Sequence, residues 1–234
     1  MDLMLNTLKE GLPQLGLDLS DEICNRLCDF GRAMVKQNEV MNLTGITEDA
    51  PVAKLHLLDS LTVLSCADLK GKSIIDVGCG AGFPGVPVAI GCPDAKVTLL
   101  DSLAKRMNWL ETAVPQLGVK NAEFITARAE EAVATRRESY DYATSRAVAR
   151  LNILLELTAP YVKVGGAVLA MKGAAAKEEL EEAKNAISQL GLKVEEVRDF
   201  TIDGAVHSVI ILRKVKPTPA RFPRRFSKIK QSPL

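Results

Sequence analysis

The sequence SIIDVGCGAGFPG, residues 73–85, joins a short apolar run to four closely spaced glycines. Residues 73–77 have the pattern of a buried strand. The glycines that follow allow a sharp turn and let a ligand approach the backbone without meeting a Cβ atom. When such a loop follows a strand and opens a helix, its ligand lies at the carboxyl end of that strand. The stretch therefore predicts a ligand-binding α/β domain, with a glycine-rich turn that binds nothing as the alternative.

Downstream of this loop, strand patterns alternate with helix patterns. Strands are expected at 97–100, 123–125, 140–144 and 167–170, and helices at 103–117, near Ala129, at 151–157 and at 177–190. This alternation predicts a mostly parallel sheet with helices on both faces. Two β-rich runs, 194–202 and 206–212, meet at Asp203-Gly204, which is typical of a type I′ hairpin turn. An antiparallel strand should therefore complete the sheet.

Upstream of the loop, residues 1–70 are predicted to be helical. Leucines recur at helical spacing between residues 3 and 12, and Ser20 has the chemistry of a helix N-cap. Pro51 suits the first turn of a third helix that reaches about residue 64. The expected organisation is a helical extension over 1–70, a ligand-binding domain over 71–214 and a basic tail over 215–234.

Length and composition agree with a single α/β domain plus an extension, since the chain has 234 residues and ordinary hydrophobic and charged fractions. It has no run of about 18 apolar residues and no signal-peptide pattern, so a cytoplasmic protein with no membrane partner is expected. The five cysteines are scattered, which suits reduced thiols. Cys24 and Cys28 lie one helical turn apart without a second Cys/His pair, so core packing is favoured and no metal is expected.

The charge distribution is more informative than the net charge of +1. No acidic residue follows Asp203, whereas the last segment is rich in lysine and arginine. Basic residues interleaved with Phe222 and Phe226 suit phosphate contacts and base stacking. The RNA-binding candidates are Arg221, Arg224, Arg225, Lys228 and Lys230. A solvated basic terminus, or a tail that packs on its own protein, is the alternative.

The glycine loop is compatible with two nucleoside cofactors. Residues 80–85 match GxGxxG and Asp101 lies about twenty residues further on, as in nicotinamide dinucleotide (NAD) sites. However, counting from Gly78 puts Phe83 where that fingerprint needs Gly or Ala, and no substrate domain follows the sheet. Asp76 could contact the cationic end of S-adenosylmethionine (SAM) through its amino group or a water. SAM is therefore favoured, and NAD stays open.

Polar residues after the other strands are further candidates. Asp101 could accept both ribose hydroxyls or cap the next helix. Ala129-Glu130 could flank the adenine. Arg146 could hold the SAM carboxylate, or the phosphate or guanine edge of a substrate, because its guanidinium forms forked hydrogen bonds. Lys172, after the fifth strand, is a candidate for the same role. For both Arg146 and Lys172, a surface side chain that binds no ligand is the alternative.

The helical segment contributes two more candidates. His56 and Asp59 are spaced i, i+3 and can meet on one helix, and Asn42 stands in the run Asn42-Leu43-Thr44. A structural histidine is favoured over a catalytic one, because no serine or cysteine nucleophile at a strained turn accompanies it.

Together these segments resemble the RsmG (GidB) family of bacterial 16S rRNA guanine-N7 methyltransferases. The residues that carry the resemblance are 42–44, His56 with 59–61, 76–85, 100–102 with 105–106, 128–131, 145–147, 172–173 and the Pro-Arg-Arg and Ser-Pro-Leu pieces of the tail. They span nearly the whole chain in order. Phe226-Ser227 departs from the family, because many members carry a Gly-Pro-type turn there.

The resemblance implies a class I SAM-dependent methyltransferase fold, which is Rossmann-like and seven-stranded, with strand order 3-2-1-4-5-7-6 and an antiparallel last strand. It also implies that SAM contacts Gly78, Phe83, Ala129, Glu130 and Arg146. Gly80 and Gly82 complete the expected cofactor loop, with Asp76 and Asp101 beside it.

The implied substrate is a guanine in the decoding-region loop of 16S rRNA, as naked RNA or in a small ribosomal subunit particle. Guanine N7 has an in-plane lone pair and no proton, so its methylation needs positioning and no general base. The positioning candidates are Arg146, Lys172, His56 and Asn42. A methyltransferase of another RNA, of DNA or of a small molecule is the alternative within the class. A non-enzymatic RNA-binding module is the alternative outside it.

Overall fold

A seven-stranded sheet organises the chain, in a computed structural model that describes residues 2–234. The strand order is β3-β2-β1-β4-β5-β7-β6. The strands are β1 (Ser73–Val77), β2 (Lys96–Asp101), β3 (Ala122–Thr126), β4 (Tyr140–Arg146), β5 (Val162–Lys172), β6 (Leu192–Ile202) and β7 (Ala205–Lys214). The predicted order and fold class are confirmed.

Strands β1 to β5 run parallel, and β7 is antiparallel to both β5 and β6. The β6–β7 turn is formed by Asp203 and Gly204, with φ of +51° and +76°. A type I′ turn needs positive φ at both central positions, so the Asp-Gly pair predicted the hairpin for the correct reason.

Eleven α-helices flank the sheet within the described residues. They are α1 (Leu3–Gly11), α2 (Asp21–Met41), α3 (Asp49–Val52), α4 (Asp59–Cys66), α5 (Gly85–Gly91), α6 (Ala104–Gln116), α7 (Ala129–Ala132), α8 (Leu151–Thr158), α9 (Ala176–Glu182), α10 (Lys184–Gln189) and α11 (Phe226–Gln231). Most lie where the sequence pattern placed them.

Two helices differ in detail from the prediction. A π-helical segment, Ala53–Leu58, joins α3 to α4, so the third predicted helix is continuous to Cys66 but has a wider turn in its middle. The helix predicted over 177–190 is divided at Ala183, which separates α9 from α10. The Ser20 N-cap is confirmed, because its hydroxyl accepts a hydrogen bond from Ile23 N at 3.3 Å.

The sheet has a hydrophobic core on each face, because neighbouring side chains of a strand point in opposite directions. Ile74 packs with the N-terminal helices, including Phe30 and Leu57. Ile75 packs on the other side with α8 and with the C-terminal segment, including Phe222. Residues 2–70 and the tail thus share their cores with the sheet. The division at residues 70 and 214 stays a prediction, and Met1 lies outside the described residues.

The tail is packed against the protein, so the alternative of a solvated basic terminus is wrong and the alternative of a packed tail is confirmed. Lys214 is the last residue of β7 and is fully buried, where its Nζ donates to Ala159 O at 2.7 Å. Burial lowers the pKa of Lys214 to about 8. Phe222 is only 1 % exposed, so it anchors the tail and is not free to stack on a base.

Arg224 is a second anchor of the tail. Its Nε and Nη2 donate to the two carboxylate oxygens of Glu156, at 2.8 and 2.6 Å, and Glu156 is fully buried. This forked ion pair ties the tail to α8, and a contact of Arg224 with RNA stays a prediction. Four RNA-binding candidates remain exposed, namely Arg221, Arg225, Lys228 and Lys230.

Two features are absent from residues 2–234. No helix in this range is long and apolar enough to cross a membrane. No group of three His, Cys, Asp or Glu side chains there is arranged to hold a metal ion.

Candidate functional site

A cavity of about 400 Å³ lies at the carboxyl ends of strands β1 to β4. This is where the glycine loop predicted a ligand. Its walls combine the loop, the ends of the neighbouring strands, the α2–α3 connection and one residue of the tail. The lining includes Leu43, Thr44, His56, Gly78, Cys79, Gly80, Ala81, Phe83, Asp101, Arg106, Arg128, Ala129, Glu130, Arg146, Val148, Leu157 and Phe226.

The first two glycines of the loop shape the cavity floor. Gly78 and Gly80 both have positive φ, +75° and +57°. A Cβ atom on Gly78 would come within 2.5 Å of the Val148 side chain, so only glycine fits there. The loop is held by a hydrogen bond from Gly78 N to Leu100 O at 2.8 Å. These positions therefore let the backbone itself form the cavity surface.

Gly82 packs against the hydrophobic core beside the loop. It does not line the cavity. Its φ is +94°, and a Cβ atom there would meet Val86, Leu110 and Phe30 within about 3.0 Å. Gly82 is thus required by the packing of the loop on the core, and a direct cofactor contact by this residue stays a prediction.

Asp76 is fully buried beneath the loop and does not line the cavity. Its Oδ2 accepts a hydrogen bond from Gly85 N at 2.7 Å, which ties β1 to the start of α5. Among the described residues, its Oδ1 has no hydrogen-bond partner. Burial raises the pKa of this carboxyl to about 7. The contact predicted between Asp76 and the SAM amino group, direct or through a water, stays a prediction.

Asp101 lines the middle of the cavity, at the end of β2. Its Oδ2 accepts from Gly80 N and its Oδ1 from Leu103 N, both at 2.9 Å. The side chain therefore organises the glycine loop and the start of α6 at the same time. Each carboxylate oxygen can accept more than one hydrogen bond, so both remain able to receive a ribose hydroxyl.

Arg146 lies at the end of β4 and connects the cavity to the N-terminal helices. Its Nη1 donates to Asp59 Oδ2 at 2.7 Å and to Leu55 O at 3.0 Å. Its Nη2 is 3.3 Å from His56 Nδ1, and its guanidinium lies over the Phe83 ring, 5.0 Å from the centroid. These contacts orient the guanidinium rigidly at the cavity wall.

His56 is a neutral, fully engaged side chain. Its ring stacks on Phe83, with centroids 4.9 Å apart, and its Nε2 is 2.8 Å from Thr44 Oγ1. Burial, with the Arg146 charge beside it, lowers the pKa of His56 to about 4. The predicted meeting of His56 with Asp59 is indirect, because Arg146 stands between them.

Asp59 has a second partner that the sequence pattern did not indicate. His207 Nδ1, from β7, is 2.8 Å from Asp59 Oδ1. The carboxylate raises the pKa of His207. The hydrogen bond from His207 and the Arg146 charge lower the pKa of Asp59, in spite of its burial. The chain Thr44–His56–Arg146–Asp59–His207 therefore joins one wall of the cavity to the sheet.

Two predicted positioning residues lie away from the cavity. Asn42 is exposed and ends α2 with φ of +49°, a conformation that asparagine tolerates. Lys172 donates to Ala149 O at 2.6 Å and pairs with Glu179 Oε2 at 2.8 Å. It lines a neighbouring cleft, which shares Arg146 with the cavity. A positioning role of either side chain stays a prediction.

Ala129 and Glu130 line the cavity as predicted, at the end that follows β3. Strand β3 is three positions from β4 in the sheet, and strands lie about 4.8 Å apart. Ala129-Glu130 and Arg146 thus lie toward opposite ends of the cavity. Asp101 lies between them.

Sequence reasoning missed Arg106, Val148, Leu157 and Phe226 as lining residues. The position of Arg106 in the first turn of α6, just after Asp101, was a usable signal. Val148, Leu157 and Phe226 carry no local signal, because their approach to the cavity depends on long-range packing.

Comparison with known proteins adds the family. The family described as rRNA small subunit methyltransferase G (GidB) matches residues 23–207. The chain is 43 % identical over 223 residues to the Ribosomal RNA small subunit methyltransferase G of Alkaliphilus metalliredigens, covering 93 % of each chain. It is 40 % identical over 232 residues to the protein of the same name from Clostridium perfringens, covering 97 % of each.

A solved structure with a related fold is TYW2 of M. jannaschii in complex with AdoMet. The TM-score is 0.53 at 15 % identity, over 62 % of this chain and 70 % of that one. At this identity the similarity concerns the fold alone.

Proposed function

The chain belongs to the rRNA small subunit methyltransferase G (GidB) family, and we propose that it transfers the methyl group of SAM to N7 of a guanine in the decoding-region loop of 16S rRNA. It is a SAM-dependent rRNA methyltransferase, and it is expected to work in the cytoplasm, where rRNA is assembled into ribosomes. The observation that carries the proposal is the cavity at the ends of β1 to β4, in which polar groups are ordered as SAM requires.

The order of groups in the cavity fits the three parts of SAM. The Arg146 guanidinium suits the carboxylate of the methionine part, since it places a positive charge at the cavity wall. Asp101 suits the ribose hydroxyls. Ala129 and Glu130, at the far end, suit the adenine. The Gly78 loop lies between, where a Cβ atom would fill the space.

The protein's contribution to the reaction is to bind and orient. SAM supplies an electrophilic methyl group on a sulfonium. Guanine N7 carries an in-plane lone pair and no proton, so a methyl group supplied by bound SAM would pass to it without a base from the protein. His56 is neutral and hydrogen-bonded, so we assign it to the support of Phe83 and Arg146 and not to proton transfer. Catalysis then depends on alignment and on exclusion of water.

Calorimetry with two ligands tests the cofactor. Purified protein should release or absorb heat on binding SAM and give no binding signal with NAD. Binding of NAD without binding of SAM would overturn the proposal, because a dehydrogenase would then be the better interpretation of the loop.

We propose that exposed basic residues of the tail help to hold rRNA at the mouth of the cavity. Arg225 shares a surface groove with Arg128 and Phe226, and Phe226 also lines the cavity. This arrangement places two exposed arginines, together with Glu130 and Glu131, at the rim of the cavity. Arg221, Lys228 and Lys230 add positive charge along the tail.

Charge reversal tests this contact. Arg225→Glu should leave SAM affinity unchanged, weaken RNA binding and reduce the salt dependence of that binding by about one unit of slope per lost phosphate contact. Lys193→Glu is the matched control, because Lys193 is exposed on β6 at the opposite edge of the sheet. Equal RNA affinity and equal slope in the two variants would restrict the tail to a structural role.

A further inference from the structure

Phe226 brings the C-terminal tail into the wall of the cofactor cavity. It is the first residue of α11 and lines the cavity together with Leu157, Ala129 and Glu130. Ala129 and Glu130 follow β3, and Glu130 also shares a surface groove with Phe226, whereas Leu157 lies on α8, which contacts both α7 and α11. The tail thus reaches the part of the cavity that we assign to adenine.

The position of Phe226 is set by anchors on both sides. Two residues before it, Arg224 holds the fully buried Glu156 of α8 through a forked ion pair, and Arg224 N donates to Glu156 Oε1 at 2.8 Å. Three residues after it, Ile229 is fully buried in the core that also contains Phe222. The ring therefore stands at a defined place beside the cavity.

The backbone before these anchors is also held. Arg137 Nη1 donates to Thr218 O at 3.4 Å, and its Nη2 donates to Phe222 O. Thr218 N in turn donates to Glu138 Oε1 at 2.9 Å. A segment fixed at this many points is part of the folded structure, which distinguishes it from a mobile RNA-binding arm.

The chemistry of this end of the cavity suits a flat heterocycle. The Ala129 and Leu157 side chains supply apolar surface, and Phe226 adds an aromatic ring. Aromatic rings favour stacked or edge-on contacts with other π systems. Asp101, on the neighbouring strand, is placed for the ribose, so the base attached to that ribose falls at this end.

We propose that Phe226 forms one wall of the adenine subsite, so that the tail is a structural part of the cofactor site. This inference rests on the proposed function, because it takes the ligand of the cavity to be SAM. It assigns the tail a role that is separate from RNA binding: Phe226 faces the cofactor, whereas Arg225 beside it is exposed.

Binding measurements with two ligands test the assignment. The probes are SAM and 5′-methylthioadenosine, which keeps the adenosine and lacks the amino-acid part. Phe226→Ala should weaken both by a similar factor, roughly tenfold, because the lost contact is to the shared base. Phe226→Tyr, which keeps the ring, should bind both ligands nearly as well as the unaltered protein.

Two controls separate a local effect from a general one. Gln231→Ala changes an exposed residue of the same helix and should leave both affinities unchanged. Phe226→Leu keeps apolar volume for packing but lacks the ring. If Phe226→Ala unfolds the tail, Phe226→Leu should melt near the unaltered protein and still lose affinity for both ligands.

These measurements distinguish failure of the adenine assignment from failure of the proposed function. If the unaltered protein does not bind SAM, the proposed function itself is wrong. The unaltered protein could bind SAM while Phe226→Ala and Phe226→Leu bind both ligands as tightly as the unaltered protein does. The adenine assignment would then be overturned, and the assignment of the cavity to SAM would stand. Loss of SAM affinity with unchanged affinity for 5′-methylthioadenosine would also overturn it.

Discussion

Arg146 Nη1 lies 2.7 Å from Asp59 Oδ2, so that the end of β4 is bound to helix α4 across the wall of the cavity. Both side chains are largely buried, with 18 % and 9 % of their surfaces exposed. The pair therefore fixes the orientation of the guanidinium that we assign to the SAM carboxylate. Because Asp59 lies within residues 2–70, this helical segment contributes to the site.

Asp59→Asn should weaken SAM binding and lower stability, because Arg146 loses its charged partner. Losing a charge-assisted hydrogen bond costs about 1.5–3 kcal/mol. Calorimetry and chemical unfolding measure the two effects. Asp203→Asn is the matched control, since the Lys54–Asp203 ion pair is on the surface and such pairs contribute about 0–1 kcal/mol. Equal effects of the two substitutions would contradict the special role of Asp59.

His207 should make stability depend on pH through its contact with Asp59. Its pKa is raised in the folded state, so its contribution is fully present below the unfolded value of about 6.5 and is lost as pH rises through the raised value. The Asp59 carboxylate stays charged in this window, because its pKa is lowered. Thermal melts of the unaltered protein and His207→Gln should differ most at low pH. A difference that is constant from about pH 5 to 9 would contradict the coupling.

Asp101→Ala should reduce SAM affinity roughly ten- to a hundredfold, which corresponds to about 1.5–3 kcal/mol of lost hydrogen bonding to the ribose. Because Asp101 also accepts from Gly80 N and Leu103 N, some loss of stability is expected as well. Ligand-free melting curves separate the two effects. An unchanged dissociation constant would restrict Asp101 to holding the loop.

His56→Ala should leave the methyl-transfer step independent of pH between about pH 6 and 8. The pKa of His56 is lowered to about 4, so this residue does not ionise in that range in the unaltered protein either. Single-turnover rates across this range check it, with SAM affinity and melting temperature as controls for folding. An inflection near pH 6.5 in the unaltered protein that disappears in the variant would show that His56 does act as a base.

The sheet could be predicted from sequence because its signals are local. The glycine loop followed β1, and Asp203-Gly204 marked the hairpin through the backbone conformation that it requires. Ser20 is also a local signal. It predicted the start of a helix, and its hydroxyl caps that helix by accepting a hydrogen bond from Ile23 N. The π-helical segment at Ala53–Leu58 had no such signal, since helical periodicity does not report a single wide turn.

The site was only partly predictable, because its side chains are organised by contacts between distant segments. Arg146 is separated from Asp59 by 87 residues, and Arg224 from Glu156 by 68. The composition of the tail showed its charge but not its anchors, so Phe222 and Arg224 were assigned to RNA although they hold the tail in place. Phe226 reaches the cavity only because those anchors exist.

Methyl transfer to rRNA tests the central claim most directly. Purified protein with methyl-labelled SAM should be incubated with 16S rRNA, and separately with small ribosomal subunits, from cells that lack the gene, and the modified base should then be mapped. The account predicts label on N7 of one guanine in the decoding-region loop with at least one of these substrates. Label on another base or another atom, or no label on either substrate from a protein that binds SAM, would contradict it.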